Sequence, residues 1–200
     1  MEYIAHRINT LAELRNLPRE YGVELDLRDD LDGRIYIAHN PFEKGEDFEE
    51  YIKEYRHGTM ILNVKSERIE YKLQEILKKY YIENYFFLDS TFPMIYALSG
   101  QGEKNIALRL SEFEGMDTIR NMAGRVNRVW IDCFTKIPIG KKEYKELKDL
   151  GYKLCFVSPE LEGRENDLAD YADFLMQNDL QVDAVCTKEY NIIKWEEALR

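Results

Sequence analysis

The sequence predicts a single (β/α)8 barrel of the α/β class, and three observations predict it. Eight short runs rich in Val, Ile, Tyr and Phe recur along the chain, and longer amphipathic stretches of helical period lie between them. No linker, low-complexity tract or longer repeat divides the 200 residues, so one small domain spans 1–200. Eight strand and helix pairs fit a closed barrel better than an open sheet, and a chain near the short limit of that fold demands brief loops.

In chain order the apolar runs are 3–5, 23–27, 60–64, 85–88, 106–110, 129–133, 154–157 and 184–186. A further run over 34–38 follows the turn dipeptide Asp32-Gly33 and is expected to fold back on the second strand as a hairpin, outside the barrel. Helical patterns occupy 10–17, 48–55, 69–80, 93–98, 116–122, 143–150, 167–176 and 192–199. The third of these sets Ile69, Leu73, Ile76, Leu77 and Tyr80 on one face, with Glu70, Lys72, Gln74, Glu75 and Lys79 elsewhere, the signature of a surface helix.

Composition excludes several classes of function. Hydrophobic residues make up 44% and charged residues 33%, which rules out disorder and collagen-like repeats. A net charge of −10 without any basic block argues against nucleic acid or an anionic membrane as main partner, because phosphate backbones recruit Lys and Arg patches. No apolar run approaches the ~18 residues of a membrane span, and the first residues lack a secretory pattern, so a cytoplasmic location without an integral membrane segment is expected. Cys133, Cys155 and Cys186 are far apart and each lies in an apolar run, which reads as buried thiols rather than a disulfide framework or a Cys metal site.

Chemistry in such a barrel belongs at the C-terminal ends of its strands. Those ends carry His6 and Arg7, Glu24, Asp26 and Arg28, His39 and Asn40 after the hairpin, then Asn63, Lys65 and Glu67. Beyond them come Asp89, Ser90, Arg109, Ser111, Glu112, Asp132, Ser158, Glu160, Thr187 and Lys188. Glu24 and Asp26 stand one residue apart on a strand, so both carboxylates leave the same face. Two readings stay open: an edge strand with one solvated face, or a pair held by a hard cation such as Mg2+ or Ca2+. Asn63 and Lys65 repeat the spacing on the next strand and add an oxygen and a fixed cation. His6 and His39 taken together suit acid and base roles in a displacement at phosphorus, with Arg7 and Lys65 on the phosphate oxygens. His57 precedes a strand and is placed at the opposite end, as a surface residue.

Several of these residues fall into a known pattern. Ala5-His6-Arg7, Asn9-Thr10, Glu24-Leu-Asp26, Asp32-Gly33, His39-Asn40 and Leu62-Asn63-Val-Lys65 together resemble the motifs of the glycerophosphodiester phosphodiesterase family and its phospholipase C-like superfamily. The spacing from Asp26 through Asp32-Gly33 to His39 fits without a gap. The resemblance covers the first third of the chain and implies a TIM barrel that splits phosphodiesters. It further implies His6 and His39 as acid and base, Glu24 and Asp26 as ligands of a divalent ion, and Lys65 as a phosphate or transition-state contact. Departures accompany the matches: Ile8 follows His-Arg where the family has glycine, and Asn9-Thr10 nearly abuts Arg7, shortening the phosphate loop. Asn40 replaces an aspartate. Asn63 replaces a third metal carboxylate, which leaves a weaker Mg2+ or Ca2+ site of two carboxylates and an amide oxygen.

Three functions are therefore in play. The first is a divergent metal-assisted phosphodiesterase, hydrolase or cyclising lyase, acting on a small phosphodiester. The second is a catalytically degenerate barrel binding a phosphorylated or glycan-linked ligand. The stretch Leu154-Cys-Phe-Val-Ser-Pro-Glu160 resembles barrel proteins of bacterial surface-polysaccharide synthesis, which accords with that second reading. The third is a glycoside hydrolase using two carboxylates, since Glu24, Glu112 or Glu160 could pair across the mouth.

Overall fold

In the computed structural model, which describes residues 1–199, the apolar runs become a ring of parallel strands. Strand β1 (Glu2–Ala5) lies between β2 (Gly22–Asp29) and β10 (Ala184–Thr187). On one side the ring continues from β2 to β5 (Met60–Val64) and β6 (Tyr85–Leu88). On the other it runs from β10 to β9 (Lys153–Val157), β8 (Arg128–Ile131) and β7 (Ala107–Leu110). The last junction is made by one parallel bridge between Phe87 and Ile106, where the Phe87 N–H donates to the Asn105 carbonyl at 2.9 Å. That contact completes the barrel.

Strand β3 (Ile35–Ile37) folds back antiparallel on the end of β2, as the Asp32-Gly33 turn predicts. A two-residue strand β4 (Glu46–Asp47) extends this flap; its acidic sequence carries no apolar signal that would have announced it. The helices follow the expected order: α1 (Leu11–Asn16), α2 (Phe48–Glu54), α3 (Glu70–Lys79), α4 (Phe92–Gly100), α5 (Met116–Asn121), α6 (Lys141–Asp149), α7 (Leu168–Gln177) and α8 (Ile192–Ala198). Thr10 opens α1 as a capping box, its hydroxyl accepting the Glu13 N–H while the Glu13 carboxylate takes the N–H of Thr10 in return.

The period of two along each strand separates two cores. Val23, Leu25 and Leu27 of β2 point outward against the helices, where Leu73, Ile76 and Leu77 of α3 join the same cluster. Ile4, Ile61, Phe86, Leu88, Ala107, Trp130, Cys155, Val157, Ala184 and Cys186 form the second cluster and fill the lumen. All three cysteines are free and buried. Among the described residues, no helix is long and apolar enough to cross a membrane.

Candidate active site

Above the apolar lumen the inward positions turn polar, beginning with Glu24 and Asp26. Both are fully buried, which removes the reading of β2 as an edge strand with a solvated face. Glu24 accepts the Asn63 amide at 2.7 Å and the Arg7 backbone N–H at 2.8 Å, and the His6 imidazole Nε2 lies 3.6 Å from it. Burial first, and the neighbouring Asp26 charge second, push the Glu24 carboxyl up to about 7. Asp26 sits opposite Asn63 in the strand register and exchanges two hydrogen bonds with Asn9: the Asn9 amide donates to it at 2.9 Å and its own N–H donates to Asn9 Oδ1 at 3.0 Å. Its charge is met by Lys65 Nζ at 3.6 Å and Arg7 Nε at 3.8 Å.

The two histidines converge on this pair from different elements. His6 directly follows β1, and Lys188, just past β10, holds its Nδ1 at 3.0 Å. An ammonium can only donate, so Nδ1 accepts and the ring proton sits on Nε2, facing Glu24. Burial, followed by the charge of Lys188, lowers the His6 pKa to about 3, so the ring is neutral across ordinary pH. His39 is carried over the mouth by the β2–β3 flap. The Ala38 N–H donates to the Asp26 carbonyl at 3.0 Å, and Arg28 donates to the carbonyls of His39 at 2.8 Å and Lys65 at 3.0 Å. On the ring, Arg7 donates to Nε2 and the Asn40 carbonyl oxygen faces Nδ1 at 3.0 Å, so His39 carries its proton on Nδ1. Arg7 reaches both His39 and Asp26 from a left-handed backbone conformation, φ 58°, an uncommon state for a residue with a Cβ.

The structure thus brings His6, Arg7, Glu24, Asp26, His39, Asn63 and Lys65 to one end of the barrel. It also brings in residues that had no assigned role. Lys188 sets the His6 tautomer. Asn9, next to the shortened loop, anchors Asp26. Lys65 also contacts Asp89 at 3.3 Å, and Asp89 and Asp132 both pair with Arg109, which continues the polar mouth across β6, β7 and β8. A lysine directly after a barrel strand is the signal that pointed to Lys188, although nothing in the sequence said which histidine it would meet.

Glu160 accepts from the Ser158 and Thr187 hydroxyls and from the Lys188 N–H at 3.0 Å, and Glu112 accepts from Thr135 through Oε1 while its Oε2 is buried without a hydrogen-bond partner. One expectation is corrected: His57 is half-buried rather than a surface residue, with Nε2 3.0 Å from the Leu17 carbonyl.

A divalent ion can be tested against these residues. Asp26 Oδ1 and Asn63 Oδ1 are buried without a hydrogen-bond partner, and both are hard oxygens of the kind Mg2+ and Ca2+ take. Among the described residues no three His, Cys, Asp or Glu side chains gather as a metal site, so a third protein oxygen would have to come from the Asn63 amide. The donor set fits a weakly held ion.

No family model and no curated protein matches the chain. Solved structures do match it. A glycerophosphodiester phosphodiesterase from Agrobacterium tumefaciens C58 superposes with a TM-score of 0.66 at 12% identity, covering 94% of this chain and 97% of its own. The chain has the fold of the glycerophosphodiester phosphodiesterases. A second Agrobacterium tumefaciens C58 protein, provisionally assigned the same activity, reaches 0.70 at 13% identity over 98% of both chains. A glycerophosphoryl diester phosphodiesterase from Parabacteroides distasonis reaches 0.69 at 10% identity over 99% of this chain and 86% of that one. The TIM barrel expected from the eight runs is therefore the architecture of this protein.

Proposed function

We propose that the chain is a divergent phosphodiesterase acting on a small phosphodiester, with His39 as proton acceptor and His6 as proton donor. The observation that carries this reading is the different partners of two histidines set over one buried carboxylate pair, an ammonium on Nδ1 of His6 and a guanidinium on Nε2 of His39, which assign them opposite tautomers. His6 offers Nε2–H because Lys188 occupies Nδ1, whereas His39 offers an Nε2 lone pair that Arg7 caps. A phosphate arriving between Arg7 and Lys65 competes for the guanidinium and uncovers that lone pair. Attack on phosphorus by water or by a neighbouring substrate hydroxyl then passes its proton to His39 Nε2. The P–O bond to the leaving alcohol breaks, its oxygen takes the His6 Nε2 proton, and Lys188 replaces that proton at Nδ1. Glu24, Asp26 and Asn63 would hold the divalent ion, which when bound supplies Lewis-acid polarisation of the phosphoryl group.

The test is turnover of a panel of diesters, with glycerol, cyclic, nucleotide-linked and glycan-linked members, each with and without Mg2+. Cleavage of at least one member that is lost in His39→Ala supports the assignment. Saturable binding of inorganic phosphate with no cleavage of any member would favour the degenerate binding barrel.

A further inference from the structure

Beside the histidine and carboxylate cluster the barrel wall is split. Strands β6 and β7 are joined only by the Phe87–Ile106 bridge, and above it the gap is spanned by the side-chain pair Asp89–Arg109. A cavity of about 600 Å3 opens there, within the range of small-molecule sites. Asp89, Ser90, Arg109, Glu114 and Thr118 give it a charged and hydroxyl-bearing wall, while Leu88, Phe92, Ile95 and Leu108 give it an apolar one. The Ser90 hydroxyl oxygen is buried with no hydrogen-bond partner, and the Phe92 ring stands about half exposed.

From this lining we infer that the β6–β7 cavity is a binding subsite for a polyhydroxylated ring, the alcohol portion of the diester. Its place follows from the phosphodiester reading, on which the inference rests. Asp89 is shared between the cavity and Lys65, so a phosphate at Lys65 has its ester group one side chain away. The chemistry of the lining selects among alcohols. Arg109 is already met by Asp89, Asp132 and Glu114, so a second anion gains little there. A sugar-like ring has hydroxyls that donate to carboxylates and accept from Arg109 and Ser90, and a C–H face that can lie on Phe92 and Leu88.

Titration calorimetry on the full chain with glycerol 3-phosphate, a hexose 1-phosphate and methyl glucoside tests this. The hexose phosphate should bind at least about tenfold more tightly than glycerol 3-phosphate. Thr118→Phe, at an exposed helical position lining the cavity, should abolish that difference and leave glycerol 3-phosphate unaffected. Glu114→Gln provides a second variant if the phenylalanine disturbs folding, and it should narrow the difference in the same way. Equal affinities for the two phosphates, or an equal loss of both in Thr118→Phe, would overturn the subsite and leave the phosphate reading standing. If neither phosphate ester binds, the phosphodiester reading falls. Methyl glucoside then decides alone: binding sensitive to Thr118→Phe keeps the subsite, and no binding overturns it.

Discussion

His6 and His39 differ in the proton each can trade because one meets an ammonium and the other a guanidinium and an amide. Groups acting in one displacement are not additive, so His6→Ala and His39→Ala should each lower turnover at least ~100-fold, with the double variant little worse. His57→Ala, at the other end of the barrel, should leave the rate unchanged; a matching loss there would undo the assignment. The His6 pKa of about 3 lies below its ordinary 6.5, so the stability it contributes is complete above pH 6.5 and is lost as pH falls toward 3. Lys188→Met removes one of the two largest causes of that depression. Its His6 midpoint, followed by NMR, should rise part of the way toward 6.5 while burial holds the rest, and an unchanged midpoint would show that Lys188 does not govern the ring. Glu24 has the opposite sign. With its folded pKa raised from 4.5 to about 7, its favourable contribution is complete below pH 4.5 and is lost as pH rises through 7. In chelator-treated protein, Glu24→Gln should therefore be relatively more stable at pH 8 than at pH 5, by up to roughly 3 kcal/mol in urea unfolding.

At the scale of elements, the site depends on pieces that look structural. Helix α1 is only six residues long, and its capping box also gathers the N–H of Asn9 at 3.0 Å, the residue whose side chain anchors Asp26. Thr10→Ala should cost about 1 kcal/mol of stability, with a further loss of phosphate affinity transmitted through Asn9. Strands β2 and β5 share a five-residue ladder, whereas β6 and β7 share one bridge. Hydrogen exchange should accordingly find the Leu25 and Asn63 amides, which face each other's strands, among the slowest and the Arg109 amide, which faces the β6–β7 split, far faster. Equal protection at both junctions would mean that the wall beside the β6–β7 cavity is not split.

For the whole molecule, a buried pair of like charges is a standing cost that a cation relieves. Millimolar Mg2+ or Ca2+ should raise the melting temperature of the wild type and leave Asp26→Asn unmoved, since an ion that binds only the folded chain stabilises it by mass action. A shift of equal size in both proteins would place the ion elsewhere.

Much of this was legible along the chain. The eight runs, the hairpin after Asp32-Gly33 and the helix order follow from local periodicity and turn chemistry, which act over a few residues and need no partner. The same holds for the shared face of Glu24 and Asp26, because alternation along a strand is a property of the strand alone. Lys188 on His6, Arg28 bridging His39 to Lys65, and the capture of Glu160 by Thr187 were decided by tertiary structure. Each joins segments from 11 to 182 residues apart, and ring closure alone determines which strand ends become neighbours. Closure also left β6 and β7 joined at one point, so a cavity stands where the sequence shows only two ordinary strands.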